Sequence, residues 1–366
     1  MKVGIITFHN AYNYGAILQA YATQEIVKSY GHDVDIIDYQ NKAINKHYDK
    51  RKFHLKTLPK REFYKIPRYF LEKYFFWKRR KAYKQFIRKN MLLSTSRYYS
   101  GEKFFLNGYD IIIIGSDQLW NKKITGGFDW VYWGDFDTPT YTKKIAWSIC
   151  MNEINTTKEE NTYIVNHLKN FYAISVRELS LQIFLRKLTQ KTYIQTLDPT
   201  LMLTKEKWDC FCHPVKESNY IAVYAVQNES EAIEYARYVA GILKKKIIII
   251  RSYSKHYCSK ENKEYAGPKE FLSYIKYADL IVTTSFHGTV FSILFQKQFV
   301  CPIFRDNTRI DSLLELVGLG ERRVIPNIDF HDLKTIDYNK VNKKMDVVKK
   351  TTKDFLDSFL SNKQSL

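Results

Sequence analysis

The sequence has few of the residues that mark a disulfide-bonded, zinc-binding or membrane-spanning protein. Its five cysteines are odd in number and scattered, and the one close pair has the spacing Cys-x-Cys. This pattern argues against a disulfide framework or a structural zinc site and favours a reducing, cytoplasmic compartment. No apolar run approaches the about 20 residues that a membrane-spanning helix needs. We therefore expect no transmembrane helix, and the absence of a signal-peptide pattern after Met1 predicts no secretion.

Glycine and proline are also sparse, with 14 and 8 residues, and the chain has no low-complexity tract or internal repeat. Hydrophobic residues make up 45% of the chain and aromatic residues 16%, which excludes a disordered protein. A length of 366 residues exceeds what one hydrophobic core usually supports. We therefore predict a folded globular protein of two domains.

Acidic residues are outnumbered, since 58 Lys and Arg stand against 38 Asp and Glu and give a net charge of +20. Such a charge suits nucleic acid, a membrane surface or an anionic substrate, and composition alone does not separate these partners. No helix-turn-helix or zinc finger is recognisable, so we expect no nucleic-acid partner. No ligand cluster indicates a metal site either.

The first part of the chain has the order of strand, helix and strand that is typical of a parallel α/β sheet. Val3–Thr7 and Val34–Tyr39 are predicted strands, with a predicted helix over Ala16–Tyr30 between them. Asp110–Gly115 contains four consecutive isoleucines, which indicates a strand covered on both faces. We place this domain at residues 1–204.

The same alternation restarts in the second part of the chain. Strand Tyr220–Ala225 and helix Glu229–Leu243 open it, and further strands and helices follow. We place the second domain at residues 205–337 and a charged C-terminal helix, which packs back on the first domain, at 338–366. The prediction is therefore an α/β fold with two Rossmann-like domains facing a cleft at the carboxyl ends of their strands.

A basic aromatic segment interrupts the first domain at residues 42–90. Between Lys42 and Lys89 it holds 18 Lys or Arg against three acidic residues, with a dozen aromatic residues among them. We predict that this segment is helical and that it carries most of the excess charge.

Small polar residues follow two of the predicted strands in the first domain. Asn13 and Gly15 lie where a loop opens a helix, which is a place for binding an anion, although the same residues also suit a simple turn. The spacing G-x-G-x-x-G is missing, so a dinucleotide site is not predicted. Ser116, Asp117 and Gln118 follow the isoleucine strand, and Asp117 is either a proton acceptor for a sugar hydroxyl or a helix cap.

The strand end with the most reactive residues is in the second domain. His287 lies between a predicted strand and a helix, where it can donate a proton near neutral pH. Ser285 and the helix N-terminus can bind phosphate oxygens, and Gly288 allows close approach of the backbone. The alternative interpretation is a structural histidine.

Three arginines are candidates for binding a carboxylate or a phosphate, because a guanidinium matches both groups with paired hydrogen bonds. They are Arg177, Arg305 and Arg309. In so basic a chain most arginines are solvated, and only Arg177 directly follows a predicted strand.

Taken in order, the short sequences at these strand ends resemble those of the polysaccharide pyruvyl transferase family. The resemblance extends from Lys2 to about Arg323. Each sequence alone is a weak signal, but five in the same order are specific. They are Asn13-Tyr14-Gly15, Gly115-Ser116-Asp117-Gln118-Leu119-Trp120-Asn121, Ile174-Ser175-Val176-Arg177-Glu178, Leu197-Asp198-Pro199-Thr200 and Ser285-Phe286-His287-Gly288.

The resemblance implies a GT-B-like fold and transfer of the pyruvyl unit of phosphoenolpyruvate onto a sugar as a cyclic ketal, without a cofactor. Bacterial capsule, exopolysaccharide or cell-wall glycan biosynthesis is the setting that it suggests. It implies that His287 is the general acid and that Arg177 binds the donor. Asn13, Gly15 and Asp117 are implied to line the acceptor side or the floor of the cleft.

One position departs from the family pattern. Many members carry an arginine two residues before the histidine, where this chain has Ser285. Arg305 or Arg309 is our hypothesis for the missing positive charge. Two other functions stay open: a sugar-nucleotide-dependent glycosyltransferase of the same fold, and a family member that binds ligands without pyruvyl transfer.

Under this resemblance the basic aromatic segment, residues 42–90, has two interpretations. It suits peripheral contact with the anionic inner face of a membrane that carries a polyprenyl-linked sugar acceptor. The alternative is an ordinary solvated helix pair with an apolar inner face. The chain is then cytoplasmic, with or without contact to the membrane.

Overall fold

The computed structural model of the chain describes residues 1–49, 66–251, 261, 263, 265–303, 307–324, 330 and 333–361. Twelve strands lie in these ranges. They are β1 (Lys2–Ile6), β2 (Asp33–Gln40), β3 (Leu93–Tyr99), β4 (Ile111–Asp117), β5 (Lys143–Ile149), β6 (Ala173–Val176), β7 (Ile194–Gln195), β8 (Tyr220–Tyr224), β9 (Lys246–Ile249), β10 (Leu280–Thr283), β11 (Gln298–Pro302) and β12 (Arg323–Val324).

Helices connect the strands and cover the sheets. They are α1 (Tyr14–Ser29), α2 (Lys42–Asp49), α3 (Ile66–Asn90), α4 (Lys122–Thr125), α5 (Lys158–Leu168), α6 (Leu179–Thr189), α7 (Pro199–Met202), α8 (Lys205–Asp209), α9 (Glu229–Leu243), α10 (Pro268–Tyr277), α11 (Phe286–Leu294), α12 (Thr308–Val317) and α13 (Tyr338–Leu360), with 3-10 turns at Trp130–Trp133 and Gly320–Arg322. None of the helices in the described ranges is both long and apolar enough to cross a bilayer.

The strands form two sheets, and every pairing within them is parallel. The first sheet has the order β3-β2-β1-β4-β5-β6-β7 and the second the order β12-β11-β10-β8-β9. The first six strands thus follow the Rossmann order. We call each sheet with its helices a lobe. The predicted class, α/β with two Rossmann-like units facing a cleft, is confirmed.

Strand β4 shows why the sequence folds this way. It lies in the interior of the first sheet, between β1 and β5, and Ile111 to Ile114 are all buried. Because helices cover both faces of a parallel sheet, such a strand has no solvent side and is apolar throughout. Its last residues are Ser116 and Asp117, at the carboxyl edge of the sheet.

The two lobes meet through buried aromatic rings beside that edge. Tyr14, at the start of α1, stacks on Phe271 of α10 with ring centroids 4.5 Å apart. Its hydroxyl donates a hydrogen bond of 2.8 Å to the carbonyl of Ala266. The guanidinium of Arg79 from α3 lies over the Tyr14 ring as well, 5.2 Å from the ring centroid. Helix α3 therefore packs at the junction of the lobes.

The basic aromatic segment contains α2 and α3, as the composition predicts, while residues 50–65 lie outside the described ranges. The edge strand β3 follows α3 directly. The C-terminal helix α13 returns to the first lobe, where Asp357 accepts a hydrogen bond from Tyr30 and the carbonyl of Leu360 accepts one from His32. The division at 204, 337 and 366 into domains stays a prediction.

Candidate active site

A cavity of about 490 Å³ lies between the carboxyl ends of the two sheets. Six of the residues selected from the sequence line it, three from each lobe: Asn13, Asp117, Gln118, Ser285, His287 and Arg309. Four others, Gly15, Ser116, Arg177 and Gly288, are not among the lining residues. Arg305 lies outside the described ranges.

Two helices begin at the cavity, one from each lobe. Asn13 caps α1, since its Oδ1 accepts a hydrogen bond of 3.2 Å from the backbone N–H of Ala16. Ser285 caps α11, and its hydroxyl oxygen lies 3.4 Å from the amide nitrogen of Gly288. Helix N-termini carry partial positive charge, so both favour an anion in the cavity.

His287 is the second residue of α11, and Gly15 of α1 lies against its ring. A Cβ atom at position 15 would stand 1.9 Å from the Nδ1 atom of His287. Gly288 is constrained in the same way, because its Cβ would stand 2.1 Å from Oγ1 of Thr283. Both glycines therefore serve close packing behind the cavity rather than a turn.

Asp198 is the nearest acidic group to His287. Its Oδ2 lies 3.5 Å from Nε2 of the imidazole, and its side chain is completely buried. Asp198 follows β7 in the first lobe, so the contact joins the two lobes. Asp198 belongs to the family-like sequence Leu197-Asp198-Pro199-Thr200, but no role was predicted for it from the sequence.

Arg177 also faces Asp198. Its Nη1 lies 2.5 Å from the same Oδ2, and its Nη2 lies 3.5 Å from Oδ1 of Asp117. The ring of Phe286 covers the guanidinium at 4.3 Å. The structure thus places Arg177 behind the cavity wall, as a bridge between two carboxylates, which does not favour the donor contact expected from the sequence.

The carboxylate of Asp198 is held on both oxygens. Oδ1 accepts hydrogen bonds from the backbone N–H and the hydroxyl of Thr200, at 3.0 and 2.6 Å, and Oδ2 accepts one from Ser116 at 3.2 Å. Burial opposes the ionisation of this group. The charges of His287 and Arg177 and the bond from Thr200 outweigh burial and hold the pKa of Asp198 well below its usual range.

Asp117 ends β4 with a left-handed backbone, at φ 70°. The preceding Gly115 has φ 146°, and a Cβ there would stand 2.0 Å from the carbonyl oxygen of Trp147. The tight bend at this glycine turns Asp117 and Gln118 to the cavity, while Ser116 points back to Asp198. Of the three residues predicted at this strand end, Asp117 and Gln118 therefore line the site and Ser116 supports it from behind.

Arg309, near the start of α12, lines the cavity with its Nε bonded to Oδ1 of Asn152 at 3.0 Å. Lys123 lines it as well and forms an ion pair with Glu153. These cations, together with the two helix N-termini, make the cavity suited to an anionic ligand.

Helix α2 forms a wall of the cavity that the sequence did not predict. Lys46, His47 and Tyr48 are among the lining residues. Asn10 fixes this helix to the loop after β1, donating to Gln40 at 2.6 Å and lying 3.2 Å from Asn45. The charge of residues 42–90 pointed to an external surface, whereas part of this segment faces the site.

Within the described ranges, no group of three or more His, Cys, Asp or Glu side chains is arranged to hold a metal ion.

The model of the polysaccharide pyruvyl transferase family matches residues 13–301 of the chain. The match covers well over half of the sequence and includes both lobes. The chain therefore belongs to the polysaccharide pyruvyl transferase family, which makes it a transferase. No curated protein matches the chain significantly.

Several solved structures align with most of the chain at low sequence identity. UDP-GlcNAc 2-epimerase from Neisseria meningitidis bound to UDP-GlcNAc aligns over 99% of this chain and 100% of its own, with 9% identity and a TM-score of 0.48. The glycosyltransferase SnogD from Streptomyces nogalater aligns over 97% and 95%, with 9% identity and a TM-score of 0.41. The E. coli heptosyltransferase WaaC with ADP aligns over 95% and 100%, with 10% identity and a TM-score of 0.40.

Proposed function

We propose that this transferase moves the pyruvyl unit of phosphoenolpyruvate onto two hydroxyls of a sugar, forming a cyclic ketal and releasing phosphate. The observation that carries the proposal is the cavity itself. It presents an imidazole, that of His287, at the N-terminus of a helix and a carboxylate, that of Asp117, from the other lobe. Membership of the family supplies the class of group transferred.

His287 is the proposed general acid. Its proton goes to the methylene carbon of the donor, which becomes a methyl group and leaves cationic character on the central carbon. A sugar hydroxyl attacks that carbon, and Asp117 takes the proton of this hydroxyl. A second hydroxyl of the same sugar then closes the ketal, and its proton leaves with inorganic phosphate.

The donor carries negative charges that cations must bind. This chain has Ser285 at the position of the family arginine, so another cation is needed there. Arg309 faces the cavity and is the proposed substitute, and Lys46 of α2, which also lines the cavity, is a second cation. The N-termini of α1 and α11, capped by Asn13 and Ser285, stabilise the phosphate charge that develops in the transition state. Arg305 stays a hypothesis from the sequence.

The acceptor is proposed to be a polyprenyl-linked sugar, reached by peripheral contact of α3 with the membrane in the cytoplasm. Phe70, Tyr74 and Trp77 are all more than half exposed. They continue as one stripe into Lys81 and Lys84, which are also exposed. Arg79, Tyr83 and Phe86 on the other face of α3 are buried. The stripe is therefore the part of the helix that an anionic lipid surface meets.

The test is phosphate release from phosphoenolpyruvate by the purified protein with lipid-linked and simple galactosides, glucosides and N-acetylmannosaminides. Release that depends on an acceptor, with a product heavier by one pyruvyl ketal, is the expected result. His287→Gln should abolish it, whereas His213→Gln, an exposed histidine outside the cavity, should not. No release with any acceptor, alongside tight binding of a nucleotide sugar, would establish the glycosyltransferase instead.

A further inference from the structure

We propose that Asn152 is a positioning residue for donor binding, because it holds the guanidinium of Arg309 at the cavity, and that Glu178 fixes Asn152 in its place. The inference deepens the proposed function and rests on it, since Arg309 is the proposed partner of the donor's negative charges. Neither Asn152 nor Glu178 is among the residues that line the cavity. Both act on the donor only through Arg309.

The guanidinium of Arg309 is anchored at one end. Its Nε donates a hydrogen bond of 3.0 Å to Oδ1 of Asn152. Within the described ranges, neither of its terminal nitrogens, Nη1 and Nη2, has a hydrogen bond or an ion pair. These two nitrogens match two oxygens of a carboxylate or a phosphate. The contact with Asn152 therefore fixes the group and leaves its terminal edge for a ligand.

Anchoring matters because an arginine side chain is long. It loses much conformational freedom when a ligand orders it, and this loss weakens binding. A guanidinium that is already fixed loses less when the ligand arrives, so preorganisation raises affinity without a new contact to the ligand. Asn152 can thus affect donor binding although it does not touch the donor.

The backbone that carries the amide of Asn152 is itself held by Glu178. Asn152 follows β5 in a left-handed conformation, at φ 68°, which asparagine adopts more readily than most residues. Oε1 of Glu178 accepts hydrogen bonds from the backbone N–H groups of Met151 and Asn152, at 2.9 and 2.6 Å. Glu178 is completely buried, so water does not compete for these bonds. They fix the direction in which the amide of Asn152 points.

Glu178 also lies beside the start of α12, in the second lobe. The hydroxyl of Thr308, which directly precedes the arginine, lies 3.4 Å from Oε2 of Glu178 and 3.4 Å from the carbonyl oxygen of Asn152. One turn further along α12, the hydroxyl of Ser312 accepts a hydrogen bond of 3.1 Å from the backbone N–H of Leu179. The beginning of α12 is therefore attached to strand ends of the first lobe. The place of the arginine depends on that lobe as well as on its own helix.

Asn152→Gly tests the inference, because glycine keeps the left-handed backbone and removes only the amide. The KM for phosphoenolpyruvate should rise about 10-fold, the effect of one hydrogen bond to a charged group, while kcat changes by less than about twofold. Asn219→Gly is the matched control, since Asn219 has φ 56° and binds Lys245 outside the cavity. It should leave KM and kcat unchanged. An unchanged KM in Asn152→Gly would overturn the proposal.

A double variant shows whether Asn152 acts through the arginine. Asn152→Gly combined with Arg309→Gln should have the same KM as Arg309→Gln alone, because two changes to one contact are not additive. A KM raised by the product of the two single effects would overturn the positioning role. Glu178→Asp, which withdraws the carboxylate by one methylene, should raise KM in the same direction. A folded Glu178→Asp with the KM of the wild type would remove Glu178 from the proposal.

Binding without an acceptor separates this inference from the proposed reaction. Calorimetric titration with phosphoenolpyruvate should give a Kd about 10-fold higher for Asn152→Gly than for the wild type. The same difference in a protein that transfers no pyruvyl group to any acceptor would support the positioning role and remove the proposed reaction. Equal Kd values in a protein that does transfer the group would overturn the positioning role alone.

A further measurement on the full chain needs no ligand. In ¹⁵N NMR spectra with labelled arginine, the Nε–H signal of Arg309 is identified by its loss in Arg309→Gln. Exchange of this proton with water should be faster in Asn152→Gly than in the wild type, because its hydrogen bond is gone. Equal exchange rates would mean that Asn152 does not hold the guanidinium, which would overturn the proposal.

Discussion

Gly15 of the first lobe lies directly against the imidazole of His287 of the second, so that a Cβ at position 15 would stand 1.9 Å from Nδ1. Real Cβ atoms do not approach other atoms so closely, and Gly15→Ala must therefore displace the ring. A displacement of about 1 Å at a reacting group costs about 100-fold in rate. We expect a loss of that size in kcat, measured as phosphate release.

The matched control is Gly241→Ala. Gly241 is also helical, but no atom lies within 4 Å of the position that its Cβ would take. This variant should keep full activity and gain about 0.5 to 1 kcal/mol in the free energy of unfolding. Full activity in Gly15→Ala would mean that the ring position does not matter for the reaction.

Arg309→Gln should raise the KM for phosphoenolpyruvate about 10- to 100-fold, since a charge-assisted hydrogen bond to the donor is lost. Titration of the initial rate with the donor measures the effect, and Arg305→Gln belongs in the same series. Arg237→Gln is the control, because Arg237 pairs with Glu261 outside the cavity. An unchanged KM in both Arg309→Gln and Arg305→Gln would remove the idea that an arginine substitutes for the family residue.

The membrane contact of α3 predicts salt-sensitive binding to liposomes that contain anionic lipid. Lys81→Gln with Lys84→Gln should lower the affinity about 30-fold, since each cation near such a surface contributes about 1 kcal/mol. Trp77→Ser should weaken binding as well. Lys343→Gln with Lys350→Gln, exposed on α13, is the control of equal charge. Absence of binding at low salt would contradict the proposed contact.

Tyr14→Phe tests the junction of the lobes. The change removes the hydroxyl that donates to the carbonyl of Ala266 in a buried place. We expect the free energy of unfolding to fall by about 1 to 3 kcal/mol, the cost of leaving a buried acceptor unsatisfied. Urea unfolding measures it, with Tyr141→Phe, which is 60% exposed, as the control. Equal stability of the two variants would contradict a tight junction.

Acid should destabilise the protein through Asp38 and Asp198. Burial opposes ionisation of Asp38, yet hydrogen bonds from His9 and Arg97 outweigh it and keep the pKa of Asp38 well below its usual range. A lowered pKa in the folded state gives stability that is present above the unfolded value, about 3.9, and is lost as the pH falls below it.

Urea midpoints at about pH 6 and about pH 3 measure this loss. Asp38→Asn should be less stable than the wild type at the higher pH and should lose less on acidification. If Asp38→Asn and the wild type lose the same amount, the ion pair around Asp38 does not contribute.

The sequence was sufficient for the parts of the fold that depend on local periodicity. The predicted helix Glu229–Leu243 has the same bounds in the structure, and the isoleucine strand became β4 within two residues. Strand β3 at the sheet edge was not predicted, because Leu93–Tyr99 is mostly polar and exposed and has no apolar run. Strand β7 has only two residues, too few for a pattern.

For the candidate site, the sequence predicted that the functional residues follow the strands, at the carboxyl edge of each sheet. It did not predict the direction in which each side chain points. Arg177 follows a strand as expected, yet its guanidinium turns inward to Asp198, a contact that only the packed lobes create. The sequence suggested that Gly15 forms a turn. In the structure a side chain at position 15 is excluded by the ring of His287, which lies 272 positions away in the chain. The charge of residues 42–90 predicted an external surface for Lys46, whereas Lys46 lines the cavity. Charge alone does not indicate which face of a helix meets a cavity.

His287 is in contact with residues of both lobes. The histidine belongs to the second lobe, whereas its counter-charge Asp198 and its backing Gly15 belong to the first. A rotation of one lobe against the other would separate the imidazole from both residues at once. The surroundings of His287 therefore depend on how the two lobes are placed relative to each other.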